Sequence, residues 1–284
     1  MDNKTIGIVL IAVIAVAAVG AGAYFLMDDK DENVTVTVQG STTVEPIMSK
    51  VMESYKNEKG NVTIEMTANG SGTGINALIN GTCDMAMSSR DLKSSETAAG
   101  MVPITIAKDA VVVAVGAGTG VTDLTLEQVA KIYAGTYTNW NEVGGSDKAI
   151  VPLVREESSG TRETIDGKMI PVSGKEEADF KAKLNDYSSK GTTGEMLTAI
   201  NTTPGSIGYI GMGYVGDLTD GTAVNIGGVT PSEETVLDGT YVISRNLYLV
   251  TDGEATGEIK ALIDWILGED GQEIIKSEGF VPLS

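Results

Sequence analysis

The fold of this chain is decided by residues 34–43, VTVTVQGSTT. A β-branched run, Val34 to Val38, leads into a glycine and three hydroxyl side chains, after which apolar residues recur at helical spacing through about Glu58. β-Branched runs favour strands, and Ser or Thr just before a periodic segment is typical of a helix N-cap. The segment therefore predicts a strand that ends in a tight corner and leads directly into a helix.

Two further segments repeat this pattern. Val62 to Met66 precedes NGSGTG at residues 69–74, and a strand ending at Val154 precedes SSGT at residues 158–161. Other apolar strand candidates are Ala110 to Val115, Ile150 to Val154, Ile207 to Ile210 and Tyr241 to Val250. Helical spacing is present at Leu126 to Ala134, Arg162 to Met169, Glu176 to Leu184, Thr192 to Asn201 and Ile259 to Ile266. Strands that alternate with helices predict the α/β class, built on largely parallel sheets.

The length of the chain predicts more than one core. From residue 27 onward 258 residues remain, which is more than a single hydrophobic core usually serves. We therefore expect two lobes, each with its own mainly parallel sheet flanked by helices.

Composition excludes several classes of function. The chain has 20 Lys and Arg against 39 Asp and Glu, a formal charge of −19, and no histidine. Nucleic-acid binders need a basic surface, so this balance argues against them. The absence of imidazole removes Ser-His-Asp and Cys-His hydrolases and His-ligated zinc enzymes. The lone Cys83 cannot form an intramolecular disulfide, and it reads as buried packing.

No cofactor or metal is expected. Residues 211–216 fit G-x-G-x-x-G, but they run into turn material and not into a helix, and no phosphate-binding P-loop motif occurs. No dense cluster of acidic residues suggests a metal site.

The N-terminal segment reads as a membrane anchor. Ile6 to Leu26 is a run of 21 residues without charge, and a helix of about 20 residues spans a bilayer. Lys4 and the α-amino group favour a cytoplasmic N-terminus, which places the rest of the chain outside the membrane. A cleaved signal peptide is the alternative, because Ala21 to Ala23 resembles a cleavage site, but the run exceeds the usual length of a signal h-region. We expect residues 1–33 to form an uncleaved single-pass anchor and a short tether.

The three strand-to-helix corners share a chemistry that suits anions. Each carries glycine and hydroxyl residues where a helix begins, and a helix N-terminus offers unpaired NH groups and a partial positive charge. Arg155, just before the third corner, adds a planar cation suited to an oxyanion. Each corner taken alone is more simply read as a helix cap, and Arg155 as a surface ion pair with Glu156 or Glu157. Three such corners together favour an anion site.

Six short segments follow one another along the chain: GSTTVEP at 40–46, GSGTG at 70–74, DMAMSSR at 84–90, NWN at 139–141, REESSGTR at 155–162 and GSIGYIG at 205–211. Together they resemble the phosphate-binding protein of ABC phosphate importers. The resemblance covers roughly Val34 to the C-terminus. It implies a two-lobed type II periplasmic-binding-protein fold whose chain crosses twice between lobes, near Val112 and near Asn246. Lobe I would comprise residues 34–111 with 248–284, and lobe II residues 112–247.

The resemblance also implies a ligand set. Carried over by position, the residues that bind phosphate are Thr42, Thr43, Ser71, Arg155, Ser159, Gly160 and Thr161. Ser89 completes the set at a position where well-studied members carry an aspartate that accepts the proton of monohydrogen phosphate. Ser41, Ser88 and Arg90 are weaker candidates. The implied protein is a monomeric binding subunit without catalytic residues, and it delivers inorganic phosphate to the permease subunits in the membrane.

Two other functions stay open. The same fold could serve as a receptor or sensor for another tetrahedral oxyanion. A surface serine phosphatase or esterase would need Lys or carboxylate assistance in place of histidine. The enzyme is much less favoured, because the chain has no G-x-S-x-G elbow and no S-x-x-K motif.

Overall fold

The computed structural model describes residues 33–283. The strands are β1 (Val34–Gly40), β2 (Val62–Ala68), β3 (Met85–Ser88), β4 (Met101–Val115), β5 (Asp123–Leu124), β6 (Val151–Arg155), β7 (Ser188–Lys190), β8 (Ser206–Gly211), β9 (Thr222–Ala223), β10 (Asn225–Ile226) and β11 (Ser244–Asp252).

Helices follow most of the strands. They are α1 (Glu45–Lys59), α2 (Ser71–Ile79), α3 (Ser94–Ala98), α4 (Leu126–Tyr133), α5 (Gly160–Met169), α6 (Glu177–Leu184), α7 (Thr193–Thr202), α8 (Glu233–Leu237), α9 (Gly257–Leu267) and α10 (Glu269–Ser277). Short 3₁₀ turns occur at Trp140–Val143, Ile170–Val172 and Met212–Asp217.

Most strands belong to one mixed sheet, in the order β2-β1-β3-β11-β4-β8-β6-β7, with β9 paired on β4. The pairs β1–β3, β6–β7 and β6–β8 are parallel, whereas β11 is antiparallel to both β3 and β4, and β4 is antiparallel to β8. The expectation of largely parallel sheets is therefore wrong for the middle of the sheet. Two neighbouring strands are parallel when a crossover connection, usually a helix, carries the chain back to the end where the first strand began. The long strands β4 and β11 instead run in opposite directions beside each other.

The chain passes between two hydrophobic cores along β4 and near the start of β11. One core contains Val111 to Val115 and, just before β11, Tyr241 and Ile243. The other contains Met101 at the start of β4, Tyr248 and Val250 on β11, and Cys83, which is buried as expected. A chain that leaves a core along one strand and returns along the neighbouring strand makes the two strands antiparallel. The molecule is thus α/β and two-lobed.

The pairing of β4 changes partner where the cores change. From Met101 to Ala110 it pairs with β11, and from Val111 to Val115 it pairs with β8. The predicted lobe boundaries at 34–111 with 248–284 and at 112–247 remain a prediction.

Most predicted elements are present with small shifts of their ends. The predicted strand Tyr241 to Val250 begins only at Ser244, since residues 241–243 lead into it as a turn. The predicted membrane anchor, Ile6 to Leu26, lies outside the described residues. Among residues 33–283, no helix is both long enough and apolar enough to cross a membrane.

Candidate anion-binding site

Four strand-to-helix corners meet between the two cores. They are the three predicted corners, which begin α1, α2 and α5, and a fourth at the start of α7, where Gly191-Thr192-Thr193 follows β7. Side chains from different corners contact one another in three groups. Neighbouring residues of the chain join these groups, because Thr42 and Thr43 belong to two of them, as do Gly160 and Thr161. We call these residues the hydroxyl ring: Thr42, Thr43, Ser71, Ser89, Arg155, Gly160, Thr161, Thr193 and Arg245.

The first group surrounds Arg155 at the end of β6. Its Nη1 donates to Thr193 Oγ1 at 3.1 Å and its Nη2 donates to Thr42 Oγ1 at 3.1 Å. The two threonine hydroxyl oxygens lie 2.9 Å apart, and the backbone NH of Thr193 also donates to Thr42 Oγ1. The first corner and the fourth are therefore joined through one guanidinium.

The second group joins the first corner to the third. Thr43 Oγ1 lies 3.0 Å from Thr161 Oγ1. Arg245 on β11 donates to both, from Nη1 to Thr161 Oγ1 at 3.0 Å and from Nη2 to Thr43 Oγ1 at 3.3 Å. A second guanidinium thus contacts the ring.

The third group packs two serines against the start of α5. Ser71 Oγ and Ser89 Oγ lie 3.3 Å apart, and the backbone NH of Ser89 donates to Ser71 Oγ. A Cβ placed on Gly160 would lie 2.4 Å from Ser71 Oγ and 2.7 Å from Ser89 Oγ. Only glycine allows the N-terminus of α5 to approach these hydroxyls so closely.

The ring is buried. Every side chain in it is at most 9% exposed, and Ser71 and Thr193 are fully buried. The first turns of α2, α5 and α7 supply Ser71, Gly160, Thr161 and Thr193 to the ring, so the partial positive charge of these helix N-termini lies beside it. Buried hydroxyls and guanidiniums among helix N-termini form an environment of hydrogen-bond donors.

Each guanidinium has a carboxylate partner behind it. Arg155 donates to both carboxylate oxygens of Glu156, at 2.8 and 2.9 Å. Arg245 donates from Nε and Nη2 to Asp109 Oδ2, at 2.8 and 2.6 Å, and Asp109 is completely buried. Burial raises the pKa of the Asp109 carboxyl above its ordinary value, while the charge of Arg245 acts in the opposite direction.

The ring has the chemistry of a binding site and lacks an activated nucleophile. Within the described residues, the hydrogen bonds of the Ser71 and Ser89 hydroxyls join them to each other and to the backbone NH of Ser89. Neither hydroxyl donates to a general base, which a serine nucleophile requires.

Comparison with known proteins places the chain in a family. A PBP superfamily domain matches residues 28–270. The phosphate-binding protein PstS of Borreliella burgdorferi is 33% identical over 258 residues, covering 89% of this chain and 91% of that protein. PstS of Bacillus subtilis is 31% identical over 255 residues, covering 88% of this chain and 81% of that protein. The chain belongs to the PstS family of phosphate-binding proteins.

A solved structure extends the similarity to three dimensions. A phosphate ABC transporter substrate-binding protein from Clostridium perfringens, crystallised with bound phosphate, is 34% identical to this PstS family member. The match has a TM-score of 0.81 and covers 88% of this chain and all of that one. An ABC-type phosphate transport receptor from Vibrio cholerae, 28% identical, matches with a TM-score of 0.70.

Four predicted site residues have other partners in the structure. Ser159 caps α5 by accepting from the backbone NH of Arg162, and Ser41 accepts from the NH groups of Thr43 and Val44. Ser88 closes a turn with the backbone of Arg90.

Arg90 points away from the ring into an ion-pair cluster. Its guanidinium bonds both carboxylate oxygens of Glu96, at 2.7 and 2.8 Å, and its Nε lies 2.9 Å from Glu163. The alternative interpretation of Arg155 as a surface ion pair is correct about its partner but wrong about its exposure. The pair with Glu156 exists, but the Arg155 side chain is only 1% exposed and also reaches the ring.

Two ring residues were missed in the sequence. Thr193 belongs to Gly191-Thr192-Thr193-Gly194, which has the same glycine and hydroxyl composition as the other corners and could have been found by it. Arg245 follows no such motif. Its ion-pair partner Asp109 was visible in the sequence, because it is a lone carboxylate directly before the apolar run Ala110 to Val115, which is buried. A buried carboxylate needs a cationic partner.

Proposed function

We propose that this chain is the extracytoplasmic subunit of an ABC phosphate importer, which captures inorganic phosphate between its two lobes and passes it to the permease. The observation that carries the proposal is the hydroxyl ring, where six hydroxyls and two guanidiniums from the four corners, the end of β3 and β11 converge. Membership of the PstS family and similarity to a phosphate-bound structure support the same ligand.

The ring suits a tetrahedral dianion for a physical reason. A dehydrated anion loses its water shell, and the loss is offset only when many donors replace those waters. In the buried ring, each donor acts in a medium of low polarity, so its hydrogen bond to a charged oxygen is stronger than in water. The ligands proposed are Thr42, Thr43, Ser71, Ser89, Arg155, Ser159, Gly160 and Thr161, with Thr193 added by the geometry.

Binding has to be local and not steered from a distance. A chain of charge −19 repels a dianion at long range, and salt screens charges beyond about 8 Å. The hydrogen-bond donors of the ring must therefore attract the anion at short range, where they overcome the long-range repulsion. The first two corners already touch the third, so a hinge motion that opens the lobes would admit the anion, and closure would restore the donor set around it.

The structure favours binding without turnover. A phosphatase or esterase would require a base on Ser71 or Ser89, and their hydroxyls bond only to each other and to backbone within the described residues. A receptor for another oxyanion remains the second candidate, because the Ser89 hydroxyl can donate to a fully ionised sulfate as readily as it accepts a hydrogen bond from the P–OH of monohydrogen phosphate.

Titration calorimetry tests the proposal. The full-length chain, purified in mild detergent, is titrated with phosphate, arsenate, sulfate and molybdate, and hydrolysis of a chromogenic phosphate ester is measured in parallel. We expect saturable one-to-one phosphate binding and no hydrolysis. Stronger binding of sulfate or molybdate than of phosphate would favour the second candidate, and hydrolysis would favour the enzyme.

We also propose that the chain is anchored in the membrane next to its permease. Residues 1–33 would hold the binding domain at the outer face of the membrane, within reach of the permease subunits. The binding domain acts as a monomer, because one chain supplies all of the ring residues.

A further inference from the structure

Arg245 contacts the ring with the same geometry as Arg155. Each guanidinium donates to one threonine of the first corner and to one threonine of another corner. Arg155 serves Thr42 and Thr193, and Arg245 serves Thr43 and Thr161. In addition, Arg245 Nη1 donates to the backbone carbonyl of Ser89 at 3.0 Å, so it also contacts the third group.

These bonds orient the threonine hydroxyls. Guanidinium has donors only, so Thr43 Oγ1 and Thr161 Oγ1 must act as acceptors toward Arg245. Each hydroxyl keeps its own hydrogen, and at most one of the two can use it on the other threonine. Arg245 thereby leaves at least one of the two hydroxyl hydrogens available for an anion.

The position of Arg245 in the fold fixes its guanidinium where the lobes meet. Arg245 lies on β11 and Asp109 on β4, the two antiparallel strands that run between the cores, and the two residues are paired directly in the strand register. Asp109 Oδ1 accepts from the backbone NH of Met212 at 2.9 Å, which anchors the carboxylate as well. The position of the Arg245 guanidinium is therefore fixed by the strands β4 and β11.

The ion pair has no obvious value for stability alone. Burial of two charges costs free energy that their attraction often fails to recover, so hydrophobic residues could fill the same space at least as well. Burial also depresses the pKa of Arg245 relative to its ordinary value. A buried pair whose cation faces the hydroxyls of a candidate anion site has a use that a hydrophobic replacement would lack.

We propose that Arg245 is a second anion-binding residue, held by Asp109, so that a phosphate dianion meets a guanidinium at both the Thr42–Thr193 and the Thr43–Thr161 contacts. This inference rests on the proposed phosphate-binding function and deepens it. Two cations favour a doubly charged anion over a singly charged one, so Arg245 contributes to the selection of dianions.

The experiment compares four proteins by calorimetry with inorganic phosphate: the unmodified full-length chain, Arg245→Gln, Asp109→Asn and the double variant Asp109→Asn/Arg245→Gln. Lys260→Gln is the control, since it removes a cation from a surface ion pair with Asp264. Affinity is measured above and below the second ionisation of phosphate, which separates the dianion from the monoanion.

We expect both variants without Arg245 to bind the dianion at least about tenfold more weakly, with a smaller loss for the monoanion. Asp109→Asn has a single amide oxygen, which cannot accept from both Arg245 and the NH of Met212, so this variant should hold Arg245 less firmly and bind the dianion more weakly than the unmodified chain. The double variant covers the case in which Arg245→Gln fails to fold with Asp109 left unpaired.

Three outcomes overturn the proposal: a double variant with unchanged dianion affinity, equal losses for dianion and monoanion, or an Asp109→Asn variant with the full dianion affinity of the unmodified chain. Failure of the unmodified chain to bind phosphate would instead remove the proposed function itself, so the two failures are distinguishable.

Discussion

At the scale of single residues, Arg155 carries the largest expected effect. Replacing Arg155 by Ala removes a buried cation that donates to Thr42 and Thr193. Loss of one partner of a buried, hydrogen-bonded charge pair costs about 2 to 5 kcal/mol. Phosphate affinity measured by calorimetry should therefore fall by about 30-fold to several thousand-fold, since about 1.4 kcal/mol corresponds to tenfold.

Lys181→Ala is the matched control for Arg155→Ala. Lys181 pairs with Glu177 on the surface, where a salt bridge contributes little. This variant should bind phosphate like the unmodified chain. An Arg155→Ala variant that folds and binds phosphate with unchanged affinity would rule out the hydroxyl ring as the site.

We expect Ser89 to set the discrimination between phosphate and sulfate. A carboxylate at this position would accept the proton of monohydrogen phosphate but would repel sulfate, which has no proton to share. Ser89→Asp should therefore increase the ratio of phosphate to sulfate affinity in competition binding. Ser89→Asn is the control, because it has the same shape without the charge.

If the unmodified chain already rejects sulfate strongly, another acceptor must be responsible, and the prediction for Ser89 fails. Two acidic residues near Ser89 in sequence are engaged elsewhere. Asp84 accepts from Thr37, and Asp91 accepts from the hydroxyl of Tyr248 at 2.6 Å.

At the scale of elements, helix α5 offers a matched pair of glycines. Gly160→Ala would place a Cβ 2.4 Å from Ser71 Oγ and hold the third corner away from the second. We expect phosphate affinity to fall at least about tenfold, because several charge-assisted hydrogen bonds are misaligned together. Gly167→Ala, in the same helix, meets no atom within 4 Å.

Gly167→Ala should keep full phosphate affinity and stabilise the fold by up to about 1 kcal/mol, since alanine favours helix over glycine. Thermal unfolding and calorimetry on both variants check the pair. Equal phosphate affinity in Gly160→Ala and Gly167→Ala would show that close approach of α5 is not needed for binding.

The corners were predictable from the sequence, whereas the pairing of the two long strands was not. Glycine and hydroxyl residues after a β-branched run are a local signal, so the starts of α1, α2 and α5 could be located from sequence. The antiparallel pairing of β4 with β11 joins residues more than a hundred positions apart, and no local pattern encodes it. Arg245 was missed for the same reason, because its partners Asp109, Thr43 and Thr161 are all distant in the chain.

At the scale of the whole molecule, the location of the chain depends on residues 6–26. We expect this apolar segment to remain attached, because its 21 residues suit a membrane span and no cysteine lies near it for lipid attachment. Intact-mass measurement of protein extracted from membranes should give the full-length chain. A mature N-terminus at or near Tyr24 would identify the segment as a signal peptide.

A crystal structure of the protein with inorganic phosphate would show whether the hydroxyl ring holds the anion. We expect one tetrahedral anion within hydrogen-bond distance of Thr42, Thr43, Ser71, Arg155 and Thr161, with Arg245 also in contact. Phosphate bound instead in the open cavity of about 570 Å³ beside Lys108 and Lys168, with the ring closed on itself, would contradict this expectation.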